Sequence, residues 1–462
     1  MLKSMAKQAH ILMVPYPAQG HAKPLLKLAY KVASHGVKVT FVDTGSVNSK
    51  PFATKSDKVA KHNNVVFVSV SVGVKASEDQ TQAETTMERR AQARNLIDLI
   101  RNRKDSEITC VVADVTMGWI LTEIAEKLQV PTVAFCPLSL GSLALICQIP
   151  KLIEAGTIDS NGKLVRSDEV ISLSTDIPPC KATELTWKDS RKIETRDTEK
   201  SLFGLCKTVQ ETAESAEWIV FNSSKEFEPA ACDLNPRCLP VGPLIESEDS
   251  KRTSGAAGSF WLEDTSCMDW LDTKPPESVI YVAFGSAASL NQHEFDELAL
   301  GLETSGHSFL WVVRSDLTRG TLLNYPVGFL ERVADQGKIV EWAPQELVLA
   351  HPSVACFLTH CGWNSTMESV GRGIRLLCWP SFADQFHNAS YISDIWKVGL
   401  KLTKDKSGII SKHEIKTKIE LLLSDKSLKV NAANLKKESQ ESVLPEGSSF
   451  KNFEKFLNLL RR

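Results

Sequence analysis

Two polar residues that could do acid–base chemistry follow predicted strands in the first quarter of the chain. His21 lies in a glycine-containing loop after the apolar segment 10–14, and Asp114 directly follows the apolar segment 108–113. In an open α/β sheet, ligands bind outside the carboxyl ends of the strands, so both side chains can reach one crevice. A carboxylate that fixes the imidazole tautomer would make His21 a general base. Taken singly, each residue is more typical of a helix cap or a surface position.

A loop in the second half of the chain has the features of an anion site. The segment 360–366, His-Cys-Gly-Trp-Asn-Ser-Thr, lies between the apolar segment 354–359 and a helix predicted to begin near Asn364. Exposed amides and the positive end of a helix dipole suit a diphosphate there. The side-chain donors of this loop are His360, Asn364 and Ser365. The alternative interpretation is a simple capping box formed by Ser365 and Glu368.

A second candidate phosphate loop is Phe284-Gly285-Ser286, which follows the apolar segment 279–284. Its glycine permits a close backbone approach, and its hydroxyl can bond an anionic oxygen. The chain has neither the Gly-x-Gly-x-x-Gly spacing of a dinucleotide site nor a Gly-x-x-x-x-Gly-Lys-Ser/Thr phosphate loop. A nicotinamide oxidoreductase and a phosphoryl transferase are therefore disfavoured. No Asp-x-Asp pair is present to hold a divalent cation, so no metal is predicted.

Composition argues against several other classes. The chain has 54 Lys and Arg against 56 Asp and Glu, a formal net charge of -2, which offers no basic footprint for nucleic acid. The 11 cysteines include no Cys-x-x-Cys pair, which indicates reduced thiols rather than disulfides or a zinc site. Neither a secretory signal nor an apolar stretch of about 18 residues that could span a bilayer is present. A cytoplasmic protein without a membrane span is predicted.

Strands and helices alternate in both halves of the 462 residues, which predicts two doubly wound parallel sheets. The predicted strands are 10–14, 37–42, 65–70, 108–113, 279–284, 309–314, 338–340, 354–359 and 375–378. A polar run after Gly242-Pro243 is typical of an interdomain linker. The chain end has apolar residues at the spacing of an amphipathic helix. The predicted domains are 1–242, a linker 243–265, a second domain 266–445, and a helix 446–462 that packs back on the first domain.

The segment 342–385 carries a much more specific pattern. It begins with Trp-Ala-Pro-Gln, continues with His-Cys-Gly-Trp-Asn-Ser from residue 360, and ends with Trp-Pro-Ser-Phe-Ala-Asp-Gln. It resembles the signature box of plant UDP-sugar-dependent glycosyltransferases, and its 44 residues equal the length of that box without insertion. Segments 15–21 and 111–114 look like the acceptor-side motifs of the family, and 284–286 like its phosphate loop. The resemblance implies the glycosyltransferase-B fold, with two Rossmann-like domains and a cleft between them.

The resemblance also implies a role for each matching position. It makes His21 the base that deprotonates the acceptor, and Asp114 the carboxylate that orients it. The donor residues are Trp342 and the Ala343 backbone for uracil, Gln345 and Glu368 for ribose, Ser286, His360, Asn364 and Ser365 for the diphosphate, and Asp384 and Gln385 for the sugar, with Gly20 and Gly362 in the same UDP-sugar set. A terminal Gln385 together with Trp363 resembles members that use glucose.

The sequence departs from the family pattern at three places. Lys23 stands where relatives commonly carry an apolar or amide side chain, Arg375 where they usually have proline, and Gly371-Arg372 replaces a common polar pair. These departures put the base and the local strand geometry in question.

The function implied is an inverting, metal-independent transfer of glucose from UDP-glucose to a hydroxyl of a small apolar or phenolic acceptor. Such an acceptor would be a plant metabolite such as a flavonoid, phenolic, terpenoid or hormone. The alternatives are carbon, nitrogen or ester glucosylation at the same site, and a nucleotide-sugar-binding homologue without turnover. The acceptor-binding loops are predicted at 45–61, 71–84, 137–149 and 180–197.

Overall fold

Two parallel sheets organise the chain in the computed structural model. It describes residues 8–43, 64–69, 94–98, 107–188, 196–245, 264–286, 290–314 and 324–461. The chain divides into a first unit, Met1–Val165 with Glu194–Phe260 and Ser442–Arg462, and a second unit, Arg166–Ile193 with Trp261–Glu441.

The strands of the described residues are numbered in chain order. They are β1 His10–Val14, β2 Lys38–Asp43, β3 Val65–Ser69, β4 Cys110–Asp114, β5 Thr132–Cys136, β6 Val170–Ile171, β7 Cys180–Lys181, β8 Ile219–Phe221, β9 Cys238–Pro240, β10 Val279–Ala283, β11 Ser308–Val312, β12 Gly337–Val340, β13 Val354–Thr359, β14 Arg375–Cys378 and β15 Gly399–Lys401.

The α-helices of the first unit are Gln19–Ala33, Gly118–Leu128, Leu140–Ile146, Ile149–Glu154, Arg196–Ser215, Pro229–Leu234 and Ser448–Leu460. Those of the second unit are Ser266–Asp272, Gln292–Ser305, Phe329–Arg332, Gln345–Ala350, Trp363–Val370, Gln385–Ser390 and Lys412–Ser424. The helix Lys426–Val443 runs from the second unit into the first. Short 3₁₀ turns span Val115–Met117 and Ala182–Glu184, and a π-helical turn spans Tyr391–Ile395.

The sheet of the first unit has the order β3-β2-β1-β4-β5-β8-β9, and all its neighbours pair in parallel. Every residue of β1 is buried. Because helices cover both faces of a parallel sheet, its inner strands have nearly continuous apolar sequences. The first helix ends before Gly36, whose φ of 81° is a left-handed conformation that glycine adopts without strain. Chain order reverses between β1 and β4, so the switch point of this sheet lies between them.

The sheet of the second unit has the order β12-β11-β10-β13-β14-β15 and is also parallel throughout. Its switch point lies between β10 and β13. Asn291 and Glu294 form a capping box at the start of the helix Gln292–Ser305, and Gly306 ends that helix in a left-handed conformation. The two sheets confirm the predicted α/β class.

The last helix, Ser448–Leu460, belongs to the core of the first unit. Phe453, Phe456, Leu457 and Leu460 are buried there with residues of β1, β2 and β4. The Nζ atom of Lys31 lies 4.4 Å from the centre of the Phe453 ring and donates to the Val241 carbonyl at 3.1 Å. Asn452 of the last helix also donates from Nδ2 to the Pro240 carbonyl at 3.0 Å, so this helix holds the chain just before Gly242.

Residues Arg166–Ile193 group with the second unit, although the chain on both sides of them belongs to the first. They contain the antiparallel pair β6–β7, and the Pro178 carbonyl is 3.2 Å from Nε2 of His387. The predicted boundary at 242 does not separate this segment, because its contacts are formed with residues more than 200 positions away. Residues 246–263 of the predicted linker lie outside the described residues. None of the described helices has the length and apolarity needed to cross a membrane.

Arg375, the departure from proline, has a clear structural role. It lies in β14 and is buried, and its Nη1 atom donates to the Leu422 carbonyl at 2.8 Å and the Leu423 carbonyl at 3.0 Å. These carbonyls belong to the last turn of the helix Lys412–Ser424, where a cation and its donors are stabilising. The strand is intact and pairs with β13 and β15.

We expect Arg375→Met to destabilise the second unit by about 2 kcal/mol, because one buried and one part-buried carbonyl lose their donor. Calorimetry should show an unfolding midpoint lower by roughly 4 to 8 °C. Lys437→Met, at an exposed position of the same unit, is the control and should leave the midpoint unchanged. An unchanged midpoint in Arg375→Met would mean that the helix end is held by other contacts.

Candidate active site

His21 and Asp114 meet at the switch point of the first sheet. His21 lies in the first turn of the helix that follows β1, and Asp114 is the last residue of the adjacent strand β4. The Nδ1 atom of His21 is 2.9 Å from Oδ2 of Asp114. The imidazole is 23% exposed and the carboxylate is fully buried. With the Nδ1 hydrogen donated to the carboxylate, Nε2 is left to accept a proton.

Thr116 donates hydrogen bonds to the second carboxylate oxygen of Asp114, a contact that was not predicted from the sequence. The Oδ1 atom of Asp114 accepts from the Thr116 amide at 2.9 Å and from its hydroxyl at 2.6 Å, so Asp114 caps the 3₁₀ turn Val115–Met117. Both carboxylate oxygens are therefore held, which fixes the plane of the imidazole. The Asp-x-Thr spacing is the local signal that could have revealed this contact.

Tyr16 packs beside His21 with the ring centres 5.0 Å apart. Burial raises the pKa of the Tyr16 phenol, and the charge of Asp114 raises it further. The phenol therefore stays protonated at neutral pH, and its ring packs against the imidazole. Lys23, which departs from the family pattern, is half-buried in the helix Gln19–Ala33 that also contains His21.

The two predicted phosphate loops meet at the switch point of the second sheet. Ser286 follows β10 and His360 follows β13, and these strands are neighbours. Gly285 has a φ of 65°, and a Cβ placed there would lie 2.6 Å from Cε1 and Nε2 of His360. A Cβ on Gly362 would overlap the same ring. A side chain at either position would therefore force the His360 ring or the backbone to shift, and at Gly285 the positive φ adds strain for any residue with a Cβ.

His360 is neutral at physiological pH. Burial lowers the pKa of its imidazole to about 4, and the positive charge of Arg314 lowers it as well. A neutral imidazole can donate one hydrogen bond but carries no charge.

The helix after this loop presents amides to a ligand. It spans Trp363–Val370, one residue earlier than predicted, and its N-cap Gly362 forms no side-chain capping bond. The capping box considered for Ser365 and Glu368 is not formed, because Ser365 lies inside the helix. Asn364 is half-buried in the first turn. The backbone amides in the first turn of a helix are suited to bind an anion.

A hydrogen-bonded network joins the positions predicted for the ribose. Nε2 of Gln345 donates to Oγ of Ser365 at 2.9 Å and to Oε2 of Glu368 at 2.8 Å. Glu368 is buried, and the phenol of Tyr281 is 3.4 Å from Oε1 of Gln345. Trp342 and Ala343 come one residue after β12, with Trp342 half-buried and Ala343 buried. The second unit therefore gathers these predicted residues around one helix start.

Asp384 and Gln385 lie at the start of the helix Gln385–Ser390, and both are buried. Oε1 of Gln385 accepts from the Ser381 amide at 3.0 Å, the Ser381 hydroxyl at 3.1 Å and the Phe382 amide at 3.2 Å. Its carbonyl oxygen therefore holds the loop, and its amide nitrogen is the atom that can donate to a sugar.

Asn388 links the sugar positions to the phosphate loop and was missed from the sequence. Its Nδ2 atom donates to Oδ2 of Asp384 at 2.8 Å and to the Cys361 carbonyl at 3.0 Å. Cys361 and Ala383 have positive φ values of 65° and 57°, which are unusual for residues with a side chain. Backbone strain of this kind is concentrated at functional sites.

Two predicted positions stand apart from this arrangement. Gly20 lies in the first helix of the first unit and is exposed, whereas the other UDP-sugar positions belong to the second unit. The Trp363 ring is buried and packs against Trp396 with the centres 6.1 Å apart. The predicted acceptor loops 45–61 and 71–84 lie outside the described residues. Within the described ranges, no three His, Cys, Asp or Glu side chains are grouped as metal ligands.

His387, two residues after Gln385, makes the second unit sensitive to acid. Burial lowers the pKa of its imidazole to about 4, and Lys401 contributes in the same direction. The unfolded chain has an ordinary histidine pKa of about 6.5, so between about pH 6.5 and 4 the unfolded state binds the extra proton and the folded state does not. The contribution of the neutral His387 to the free energy of unfolding is therefore fully present above about pH 6.5 and is lost as the pH falls from about 6.5 to 4.

We expect His387→Gln to reduce the decrease in the free energy of unfolding between pH 7 and pH 4 by up to about 3 kcal/mol. The reason is that glutamine can donate to the Pro178 carbonyl without titrating. Calorimetric midpoints measured from pH 7 to pH 4 would show it. The exposed His413, replaced by glutamine, serves as the control. Parallel pH curves for wild type and His387→Gln would contradict the prediction.

Two Rossmann-like parallel sheets in one chain are the architecture of the glycosyltransferase-B fold. Residues 265–441 match the family model for UDP-glucoronosyl and UDP-glucosyl transferase, and residues 7–70 match the glycosyltransferase N-terminal domain. The chain is 35% identical to UDP-glycosyltransferase 83A1 of Arabidopsis thaliana, over 98% of this chain and 97% of that protein. It is 33% identical to 7-deoxyloganetin glucosyltransferase of Gardenia jasminoides, over 99% and 98% of the two chains.

The fold agrees with that of a solved relative. The structure of Phytolacca americana UGT2 complexed with UDP-2fluoro-glucose and pterostilbene matches with a TM-score of 0.80 at 26% identity, over 98% of this chain and 99% of that one. The chain belongs to the plant UDP-glycosyltransferase family, as the sequence resemblance predicted. It is therefore a glycosyltransferase of small molecules.

Proposed function

We propose that this chain is an inverting, metal-independent glucosyltransferase that moves glucose from UDP-glucose to a hydroxyl of a small, largely apolar or phenolic acceptor. The observation that carries the proposal is the 2.9 Å contact between His21 and Asp114 at a sheet switch point. A relative named as a glucosyltransferase and a solved relative holding a fluorinated UDP-glucose together with pterostilbene support the choice of donor and acceptor class.

The reaction is a single displacement. The acceptor oxygen attacks the anomeric carbon while its proton passes to Nε2 of His21. The bond between that carbon and the diphosphate oxygen breaks, and its electron pair leaves with UDP. Asp114 holds the imidazole and stabilises the imidazolium that forms. Attack from the face opposite to the leaving group inverts the configuration.

The second unit supports the leaving group. Neutral donors from Ser286, His360 and Asn364 and the helix start at Gly362 are suited to the diphosphate. The Gln345–Glu368 pair is suited to the ribose hydroxyls, and Asp384 with Gln385 to the sugar. All eleven cysteines are free thiols, which supports a reducing compartment such as the cytoplasm.

The test is mass spectrometry of products formed by the full chain from UDP-glucose and a panel of phenolic and terpenoid acceptors. The panel includes thiol, amine and carboxylate acceptors, and each reaction is repeated with a chelator. A product heavier by one hexose, formed equally with and without chelator and shown by the coupling constant of its anomeric proton to be a β-glucoside, supports the proposal. Loss of turnover in chelator would contradict metal independence, and UDP binding without any product would indicate a binding protein.

We expect Gln385→His to erode the use of UDP-glucose relative to UDP-galactose. Histidine cannot accept the three hydrogen bonds from Ser381 and Phe382 that now set the direction of the amide. The ratio of kcat/KM for the two donors should fall roughly 10-fold, which is the effect of one misplaced polar contact. An unchanged ratio would mean that Gln385 does not read the sugar.

A further inference from the structure

A buried carboxylate of the first unit makes contacts that the reaction described above does not use. Glu228 is 1% exposed and lies seven residues after β8, the strand that pairs with β5. Its Oε1 atom accepts from the Gly141 amide at 3.0 Å. Its Oε2 atom accepts from the Leu140 amide at 3.2 Å and from the Ser223 hydroxyl at 2.7 Å. Both carboxylate oxygens are therefore held, and two of the donors belong to the backbone of a distant segment.

That segment is the start of the helix Leu140–Ile146. The first amides of a helix have no partner within the helix itself. Here the first two donate to Glu228, and the third donates to the hydroxyl of Ser139 at 3.1 Å. Seven residues are too few for a helix that is stable in isolation. The place of this helix therefore depends on its packing and on Glu228, which lies 88 positions after Leu140.

The helix and the loop before it leave the sheet beside the His21–Asp114 pair. β5 is the neighbour of β4, and Phe135 of β5 is the register partner of Asp114. The next residues, 137–139, lead into the helix. The helix Arg196–Ser215 packs against both this helix and the 3₁₀ turn that Asp114 caps. A shift of the helix start would therefore displace backbone next to the proposed base.

The pattern of contacts requires two acceptor oxygens. Burial raises the pKa of Glu228 to about 7, and the hydrogen bonds from Gly141, Ser223 and Leu140 oppose that rise. Above this pH the carboxylate is ionised and accepts on both oxygens. A glutamine amide has one accepting oxygen and one donating nitrogen. Because the Gly141 and Leu140 amides bind different oxygens, glutamine would leave one of these amides facing a donor.

We propose that Glu228 is a positioning residue for the acceptor, because its carboxylate fixes the start of the helix Leu140–Ile146 and with it the predicted acceptor loop 137–149. The proposal rests on the function proposed above. Glu228 acts through the loop and not by contact with the substrate. A loop held at a fixed distance from His21 contributes to the orientation of the acceptor on which a direct displacement depends.

The competing interpretation is that Glu228 stabilises the fold and does nothing else. Such a contact changes the fraction of folded enzyme, so its loss lowers kcat and the unfolding midpoint and leaves the acceptor KM unchanged. Loss of a positioning contact raises the acceptor KM of enzyme that is fully folded. Ser223→Ala separates the two, because it removes a donor from the same carboxylate and keeps both amide contacts. Glu211→Gln, at an exposed glutamate of the same unit, is the matched control.

Steady-state kinetics of the full chain test the proposal at about pH 8, above the pKa of Glu228. The substrates are UDP-glucose and quercetin, together with each further panel acceptor that the wild-type chain glucosylates. We expect Glu228→Gln to raise the acceptor KM roughly 10-fold, with kcat within about threefold and UDP affinity within about twofold of wild type. Ser223→Ala and Glu211→Gln should keep the acceptor KM within about twofold. Glu228→Asp, with two acceptor oxygens on a shorter side chain, replaces Glu228→Gln if that variant does not fold.

Hydrogen exchange measured by mass spectrometry checks the loop without any substrate. Peptides that cover residues 137–149 should exchange faster in Glu228→Gln, because one amide of the helix start loses its acceptor. Peptides of the second unit should exchange at the wild-type rate.

An unchanged acceptor KM in folded Glu228→Gln would overturn the assignment, as would an equal rise of this KM in Ser223→Ala. Faster exchange of the loop without any change in the acceptor KM refutes the assignment alone. If the wild-type chain forms no glucoside from any acceptor of the panel, the proposed function is wrong and the assignment of Glu228 fails with it.

Discussion

Replacement of His21 by alanine is expected to lower glucosyl transfer roughly 10²- to 10⁴-fold, the contribution of a positioned general base. The acceptor hydroxyl is a weak acid, so without Nε2 it must attack with its proton still attached. UDP affinity should stay within about twofold of wild type, because His21 lies in the first unit and the predicted uridine and diphosphate positions lie in the second. Single-turnover product formation and calorimetric binding of UDP measure the two quantities separately.

Asp114→Asn should lose nearly as much activity as His21→Ala. An asparagine amide can donate to Nδ1, which moves the imidazole hydrogen to Nε2 and removes the acceptor for the substrate proton. Thr116→Ala should have a smaller effect, because Asp114 keeps its contact with His21. His413→Ala, at an exposed position, is the control. More than a tenth of wild-type turnover in His21→Ala would remove this residue from the mechanism.

The strands predicted most accurately are those with a recognisable boundary in the sequence at both ends. β1, β13 and β14 were predicted to the residue, because each is a buried apolar run that ends at a polar residue or a turn. β8, β9 and β15 have three residues each and were missed. Such short strands carry no periodicity, and they form because a neighbouring strand offers free hydrogen-bonding groups.

The same distinction applies to the site. Apart from Ser286 and Gly20, the residues predicted for the UDP-sugar lie in the continuous segment 342–385, and the second unit brings most of them together at the start of one helix. Arg314 donates to the Ser286 carbonyl, 28 positions earlier, and Asn388 donates to the Cys361 carbonyl, 27 positions earlier. Contacts between residues so far apart in the sequence leave no local spacing pattern from which they could be predicted. The segment Arg166–Ile193 was assigned to the first domain for the same reason. Sequence patterns identify the groups that touch a ligand better than the groups that hold them.

Gly362→Ala should be the most disruptive single change in the second unit. The added Cβ would overlap Nε2 of His360, so the buried ring or the start of the helix must shift, and a Cβ on Gly285 would meet the same ring. Overpacking of this kind costs about 1–3 kcal/mol. We expect a lower unfolding midpoint and UDP affinity reduced roughly 10- to 100-fold, since the misplaced imidazole is a predicted diphosphate donor.

A double variant distinguishes this steric effect from a general loss of backbone freedom. His360→Ala removes the ring that the new methyl group meets, so the combination with Gly362→Ala should recover the unfolding midpoint while UDP affinity stays low. For both stability and UDP binding, the double variant should therefore lose less than the sum of the two single losses, because both substitutions act through the same imidazole. Gly204→Ala, where a Cβ meets no atom within 4 Å, is the control. A normal midpoint and normal UDP affinity in Gly362→Ala would mean that the imidazole moves aside without cost, and that its position between the two glycines does not set the geometry of the diphosphate site.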